Sequence, residues 1–297
     1  GAPRLVNCLV FNNDSSNSQG GGIYHKGGGR LGLFNVQLIG NYAAGDGGAL
    51  TLSASPADIH NSLFSGNTSS FNAGALYCTG EAADPDIRFS TFSGNACANG
   101  TGGIGMNSGA DLSLMSSILW GNSGMFGTTT EQQQMSLSFG SGSTYDMSHT
   151  TVQGLSSYSG FKCSGANPLF VDPDGADNTL GTTDDNCRLQ PGSPAIDAGS
   201  ISELPTDLGD VNDNNNTIEI LPLDLDKKIR RVESAAHTNS NGSGSVPFVD
   251  RGAYEFVPSC PGDTNGDGMV NFADLNAVLS TFGQTGSGLI GDVNNDQ

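Results

Sequence analysis

The side chains with the clearest chemistry lie near the end of the chain, in the stretch GDTNGDGMVNFAD. Counting from Asp263, side-chain or backbone oxygens fall at loop positions 1, 3, 5, 7, 9 and 12, which are occupied by Asp263, Asn265, Asp267, Met269, Asn271 and Asp274. Gly268 stands at position 6, where such a loop bends sharply. Calcium prefers six to eight carboxylate and carbonyl oxygens in this order, so the spacing predicts a calcium site.

The same stretch resembles a family. From Cys260, the string CPGDTNGDGMVNFADLNAVLSTFG resembles a type I dockerin, an EF-hand-like module whose loop closes with Asp. The helix after the loop is expected to carry one apolar face and to end at Gly283, and that face comprises Phe272, Leu275, Val278, Leu279 and Phe282. The resemblance implies a cohesin-like partner.

A second repeat of this loop begins with Asp292, Asn294 and Asp296 and stops at Gln297, before its twelfth position. Either the natural chain continues further, or a neighbouring molecule completes the module.

Two further acidic loops are weaker calcium candidates. The first contains Asp172, Asp174, Asp177, Asp184 and Asp185, and the second contains Asp207, Asp210, Asn212, Asp213 and Asn214. Alternating Asp and Asn oxygens on such loops can surround calcium. The alternative is a solvated loop whose side chains hydrogen-bond to their own backbone.

The elements that must position these loops come from an internal repeat. Five similar segments end in Asn at positions 13, 41, 67, 95 and 122, so the spacings are 28, 26, 28 and 27 residues. Each period also holds two other short apolar runs. Three strands per coil of about 27 residues predict a parallel β-helix, and parallel crossovers favour the right hand.

Stacked columns follow from this period. Alternation along a strand predicts inward columns made of Val10, Leu38, Phe64, Phe92 and Leu119; of Leu33, Ile59, Ile87 and Leu114; and of Leu31, Ala57, Pro85 and Leu112. The Gly and Asn columns are expected at a bend with left-handed backbone, and stacked Asn amides are expected to hydrogen-bond from coil to coil.

The repeat resembles the right-handed β-helix superfamily of pectate-lyase-like and bacterial surface proteins. The strings PLFVDPDG, LQPGSPAIDAG and DRGAYEF resemble the closing part of choice-of-anchor surface proteins, which implies that this region ends the solenoid. We therefore predict an all-β fold in three parts: regular coils over 1–125, irregular last coils and a cap over 126–258, and a small helical calcium-binding tail over 259–297.

One outward face could carry out catalysis. Column alignment places Asp58 next to Asp86, Asp84 next to Asp111, and His60 next to Arg88. Paired carboxylates are the usual equipment for hydrolysing glycosides. A calcium-bound acidic sugar with an Arg base would suit a lyase. The alternative is an ordinary hydrophilic surface.

Composition limits the partners and the compartment. The chain has 30 acidic and 11 basic residues, a net charge of −19, which disfavours nucleic acids and anionic membrane surfaces and fits an extracellular, calcium-binding protein. No apolar run approaches the roughly 20 residues that span a bilayer. Six cysteines without a CxxC pair suggest disulfides, first Cys163 with Cys187 and second Cys78 with Cys97.

These observations favour a non-catalytic secreted or cell-surface scaffold, stabilised by calcium. It would serve adhesion or assembly, including stacking of an exposed coil end into a fibre with copies of itself. The alternatives are a polysaccharide lyase or glycoside hydrolase, and a carbohydrate-binding protein without turnover.

Overall fold

The computed structural model describes residues 2–125, 129–137, 142–232, 242–245 and 248–257, and in the tail 262, 270 and 272–281. The chain forms two compact units, Gly1–Phe256 and Val257–Gln297. The first unit is a parallel β-solenoid in which each coil pairs with the next through four parallel sheets, A to D. The predicted parallel β-helix is therefore confirmed, and its right hand stays a prediction.

The sheets are built from short strands, one from each coil. Sheet A consists of Arg4–Val6, Leu31–Phe34, Ala57–His60, Pro85–Arg88, Asp111–Met115 and Thr144–Ser148. Sheet B consists of Leu9–Phe11, Gln37–Ile39, Leu63–Ser65, Thr91–Ser93, Ile118–Trp120 and Thr151–Val152. Sheet C consists of Asp14–Ser15, Tyr42–Asp46, Thr68–Ala73, Ala96–Cys97 and Ser123–Gly124, with Gly100–Thr101 also pairing to Thr68–Ala73. Sheet D consists of Ile23–Lys26, Leu50–Ser53, Leu76–Thr79, Ile104–Asn107 and Met135–Ser136.

The remaining elements are few. Helix α1 spans Thr130–Gln134, a 3₁₀ helix spans Ile201–Glu203, and helix α2 spans Phe272–Thr281. One antiparallel pair joins Phe170–Asp172 to Asn186–Leu189.

The prediction of three strands per coil is wrong, because sheet C adds a fourth. Its strands directly follow the repeat's Asn, and some are only two residues long, as in Asp14–Ser15 and Ala96–Cys97. Strands this short and this polar leave no apolar alternation in the sequence, and pairing with the neighbouring coil is what defines them.

The predicted inward columns are confirmed. Leu38, Phe64 and Phe92 are paired in register and fully buried, and Ile59 and Ile87 form a second such column. The Phe64 and Phe92 rings stack with centroids 4.4 Å apart and planes 11° apart. Burial of one aromatic or aliphatic side chain in every coil gives the solenoid a continuous core.

The expected Asn ladder is present, in a fuller form than the sequence suggested. The Oδ1 of Asn67 accepts hydrogen bonds from both the backbone nitrogen and the Nδ2 of Asn41, at 3.0 and 2.9 Å. The Nδ2 of Asn67 donates to Asn95 Oδ1 and to the Leu38 carbonyl, both at 2.8 Å. The ladder runs through Asn13, Asn41, Asn67, Asn95 and Asn122, so each interior amide has all its hydrogen-bonding groups satisfied.

Helix α1 ends the ladder. Its last residue, Gln134, is fully buried and offers Oε1 to both the backbone nitrogen and the Nδ2 of Asn122, at 3.2 and 2.8 Å. A longer amide therefore substitutes for the Asn of the next coil.

The left-handed bend is confirmed for the Gly column and is wrong for the ladder Asn column. The ladder Asn residues do not adopt positive φ; the Gly column before them does, and it comprises Gly40, Gly66, Gly94 and Gly121 at φ 61°, 58°, 65° and 72°. A different Asn column, Asn7, Asn35 and Asn61, adopts φ of 51° to 58° between sheets A and B. Asn tolerates this conformation because its short polar side chain can hydrogen-bond locally.

The described residues 167–232, 242–245 and 248–256, which form the return segment, lie along the flank of the solenoid. They cover the outer faces of sheets A and B, where Ile39 and Leu63 pack with Cys187 and Ile196 in a second apolar core. The segment reaches the first coil, because Arg4 Nη1 donates to the Leu208 carbonyl at 2.8 Å. The expectation that this region ends the solenoid stays a prediction; its described residues lie along the side, over apolar residues of sheet B and polar residues of sheet A.

The predicted disulfides are wrong, because Cys78, Cys97, Cys163 and Cys187 are all free thiols. Cys163 packs against the internal core, whereas Cys187 packs against the outer face of sheet B, so the two members of the first predicted pair lie in different environments. Cys260 lies outside the described residues.

Little of the predicted calcium tail falls within the described residues. Asp263, Asn265, Asp267, Met269 and Asn271 lie outside them, as do Phe282, Gly283, Asp292, Asn294 and Asp296. Asp274 lies in the first turn of α2 and is 2% exposed, and Phe272 is 71% exposed. The helix begins and ends close to the predicted residues, and the dockerin-like module stays a prediction.

Candidate functional site

The parallel register of sheet A brings the predicted acidic residues together. Asp58 is paired with Asp86 and His60 with Arg88 in neighbouring coils, as the repeat predicted. Asp86 is paired with Ser113, so the same register brings Asp84 level with Asp111. These pairs are fixed by stacking in register, in which neighbouring strands lie about 4.8 Å apart.

Two arginines hold the carboxylates of this face. Arg30 Nη1 lies 2.8 Å from Asp58 Oδ1, and Arg30 Nη2 lies 3.5 Å from Asp84 Oδ2. Arg88 Nε donates to Asp86 Oδ1 at 2.8 Å. Within the described part of the chain, the Oδ2 atoms of Asp58 and Asp86 have no hydrogen-bond partner. Burial raises the pKa of Asp58, and the charge of Arg30 partly offsets that rise.

His60 is a buried imidazole without a polar partner. The residue is 4% exposed, and neither Nδ1 nor Nε2 has a hydrogen-bond partner. Its ring packs edge-on against Phe34, with centroids 5.5 Å apart. Burial lowers the pKa of His60 to about 4, although the charge of Asp86 acts to raise it. The ring is therefore neutral at pH 7 and carries one available lone pair.

The return segment covers this face, which sequence reasoning had treated as open surface. A cavity of about 270 Å³ remains under the cover, and it is lined by Asp58, His60, Asp86, Arg88, Leu204, Pro205, Thr206 and Leu208. Arg88 Nη1 also donates to the Glu203 carbonyl at 3.3 Å. The four predicted carboxylates are thereby divided: Asp58 and Asp86 line the cavity, while Asp84 and Asp111 are exposed.

The cavity contains the tightest group of possible metal ligands. In the portion of the chain that the structure describes, one set of three Asp, Glu, His or Cys residues has its ligand atoms all within 4.8 Å of one another: Asp58, His60 and Asp86. The set combines two half-buried carboxylates with one buried imidazole.

In the first acidic loop, the carboxylates bind their own loop and its neighbours. Asp185 Oδ2 accepts hydrogen bonds from Ser65 Oγ at 2.5 Å and from the Gly181 nitrogen at 2.9 Å, which fastens the loop to sheet B. Asp184 Oδ1 accepts from Thr182 at 2.6 Å, and this bond lowers the pKa of Asp184. Asp177 accepts from a nearby backbone nitrogen, and Asp172 and Asp174 are partly exposed.

The second acidic loop follows the same pattern. The Asp207 carboxylate accepts from the Val211 nitrogen at 3.1 Å, and Asp210 Oδ1 accepts from the Asn214 nitrogen at 2.9 Å. Asn212 and Asn214 both donate to Glu219. Such bonds stabilise turns, and calcium in either loop stays a prediction.

Sequence reasoning missed one polar network completely. Glu203 Oε1 lies 2.7 Å from His149 Nδ1, and His149 Nε2 lies 2.8 Å from Ser243 Oγ. Glu203 Oε2 also accepts from Ser116 Oγ at 2.5 Å. These contacts fasten the return segment to the last coils. No motif marked them, because the partners are separated by 54 to 94 residues without any repeat relation.

Fold and site together define the class as a parallel β-solenoid with a polar cavity between one sheet and its own return segment. Comparison with protein-family models, with curated proteins and with solved structures found no match. Across the described residues, no helix combines the length and apolar character needed to cross a membrane.

Proposed function

We propose that this protein is a non-catalytic scaffold of the cell surface or extracellular space, serving adhesion or assembly, with a calcium-binding tail. The observation that carries the proposal is the double restraint of the solenoid. A satisfied amide ladder links its coils from within, and the return segment covers two of its four sheets from outside.

The ladder supports a rigid body. Asn41, Asn67 and Asn95 are fully buried, and each is hydrogen-bonded to the coil on either side. Buried amides that lose these partners cannot recover them from water, so local opening between coils is costly. A long-lived shape of this kind suits a spacer or a support for other modules.

The predicted catalytic carboxylates favour the same conclusion. Asp58 and Asp86 are each ion-paired with an arginine and lie beneath the segment from Leu204 to Leu208. A polysaccharide chain needs an extended open groove, and a general acid needs a carboxyl group that is free to reach the glycosidic oxygen. A cavity of about 270 Å³ is not an extended groove, and each carboxylate in it already gives one oxygen to an arginine.

The tail and the charge supply the rest of the proposal. The predicted loop from Asp263 to Asp274 would bind calcium, and a net charge of −19 suits a calcium-rich extracellular setting. A cohesin-like domain is the partner that the dockerin resemblance proposes for this tail.

Incubation with a panel of acidic and neutral polysaccharides tests the proposal. We expect no new reducing ends and no unsaturated products from the wild-type chain. Turnover that disappears in Asp86→Asn but persists in Asp14→Asn, an exposed Asp of the first coil, would establish an enzyme instead. Retention on an immobilised glycan without any product would establish the carbohydrate-binding alternative.

A further inference from the structure

We propose that Asp58, His60 and Asp86 form a binding site for a divalent transition-metal ion of the Zn²⁺ class. This inference does not depend on the scaffold function, and it assigns the cavity beneath the return segment a ligand of its own.

His60 is buried without any hydrogen-bond partner on its ring. Buried polar atoms in proteins are almost always hydrogen-bonded, because an unpaired one has lost its contacts with water and gained nothing in return. Both ring nitrogens of His60 lack a partner, although the residue is 4% exposed and lines the cavity. A metal ion bound to one nitrogen would explain why a histidine occupies a place where an apolar ring would otherwise pack better against Phe34.

Two carboxylates join His60 in the donor set. One ligand atom each from Asp58, His60 and Asp86 lies within 4.8 Å of the others, so a single ion between them could contact all three after small side-chain movements. Each carboxylate gives Oδ1 to an arginine and leaves Oδ2 unpaired within the described chain. The arginines thus orient the carboxylates, as outer partners of metal ligands commonly do.

The donor chemistry selects the class of ion. One imidazole and two carboxylates suit Zn²⁺, Co²⁺ or Mn²⁺. Calcium prefers six to eight oxygen ligands and does not favour an imidazole nitrogen. Three protein ligands leave a fourth position open, and the cavity of about 270 Å³ has room for water at that position, since one water occupies about 30 Å³ of liquid.

The local charge is negative. Asp58, Asp84 and Asp86 provide three negative charges against two from Arg30 and Arg88. Arg30 is 38% exposed and contacts both Asp58 Oδ1 and Asp84 Oδ2, so it can stay on Asp58 Oδ1 while an ion binds Oδ2. The site can therefore accept a cation without breaking a fully buried ion pair.

Zinc titration of the full chain against a chromophoric chelator tests the site, and saturating Ca²⁺ is present to fill the loops predicted to bind calcium through oxygen alone. His60→Phe removes both nitrogens and keeps a ring beside Phe34, and Asp86→Asn removes one carboxylate at a half-buried position. The matched control is His25→Phe, which alters a half-buried histidine of the first coil that lies outside the cavity and whose Nε2 lies 2.9 Å from the Gly29 carbonyl oxygen.

We expect wild type and His25→Phe to bind Zn²⁺ with equal affinity. Both site variants should bind at least about tenfold more weakly, since loss of even an outer partner costs 10- to 100-fold. Co²⁺ should give a visible absorption band that His60→Phe abolishes. Absence of Zn²⁺ binding by wild type overturns the proposal. So does a wild-type Zn²⁺ affinity in both Asp86→Asn and a natively folded His60→Phe.

Discussion

Replacing the buried Asn67 by Ala should lower the free energy of unfolding much more than the loss of an exposed amide would. The substitution removes four hydrogen bonds: two that Asn41 donates to Oδ1, and two that Nδ2 donates to Asn95 and to the Leu38 carbonyl. The backbone nitrogen of residue 67 keeps its bond to Asn95 Oδ1.

The magnitude follows from the groups left without partners. The Asn41 backbone N–H and one of its amide N–H groups both lose their acceptor in a fully buried position. At about 1–3 kcal/mol for each buried unpaired group, the free energy of unfolding should fall by about 2–6 kcal/mol. A domain has only about 5–15 kcal/mol in total, so the loss is a large fraction of it.

The matched control is Asn13→Ala at the exposed start of the same ladder. It removes one bond to Asn41 Oδ1 and one to the Phe11 carbonyl, and Asn41 Oδ1 keeps the bond from the residue 13 backbone. Because Asn13 is exposed, water replaces the lost contacts, and the change should stay below about 1 kcal/mol.

Urea unfolding, followed by far-ultraviolet circular dichroism and by the fluorescence of Trp120, the single tryptophan, measures both variants. If Asn67→Ala and Asn13→Ala differ by less than about 1 kcal/mol, the ladder does not stabilise the coils in the way argued here.

Three further predictions concern the bend, a buried acid and the thiols. Gly66→Ala should lower the free energy of unfolding in urea more than Gly121→Ala does. Both glycines have positive φ, but an added Cβ would lie 2.1 Å from the Gly181 backbone at position 66 and 3.7 Å from its nearest neighbour at position 121. Equal losses would show that backbone strain from positive φ alone matters. Burial raises the pKa of Asp250 from 3.8 to about 7. Its contribution to the free energy of unfolding is therefore present below pH 3.8 and is lost as pH rises through about 7, with a slope of up to about 1.4 kcal/mol per pH unit. Asp250→Asn should remove this slope from the pH profile of stability, and an unchanged profile would contradict the assignment. Exposed Cys8 should react with iodoacetamide in the native protein, while Cys78, whose pKa is raised by burial, should react only after unfolding. Mass spectrometry detects both modifications, and a disulfide-linked peptide containing Cys78 would refute the assignment of free thiols.

Much of the coil interior could be predicted from the sequence. The Asn spacing, the Phe64 and Phe92 column and the pairing of Asp58 with Asp86 all follow from one rule, that residues one repeat apart become neighbours. Sheet C could not be predicted, because strands as short as Asp14–Ser15 carry no alternation of their own.

The candidate site was predictable only in part. Register placed His60 beside Arg88, but nothing in the sequence indicated that a later segment would cover them and bury the His60 ring. The disulfide prediction failed for a related reason: Cys163 and Cys187 are close in sequence, yet they lie in different cores on opposite sides of a sheet.

The sequence alone determined the stacking of the coils, because a parallel solenoid converts a fixed repeat length into contact at one strand spacing. Only the tertiary structure decided where the return segment lies. Its contacts, such as Arg4 with Leu208 or Arg88 with Glu203, join residues 204 and 115 positions apart. Such contacts have no period, since they depend on the shape and polarity of sheet faces that exist only after the coils have formed.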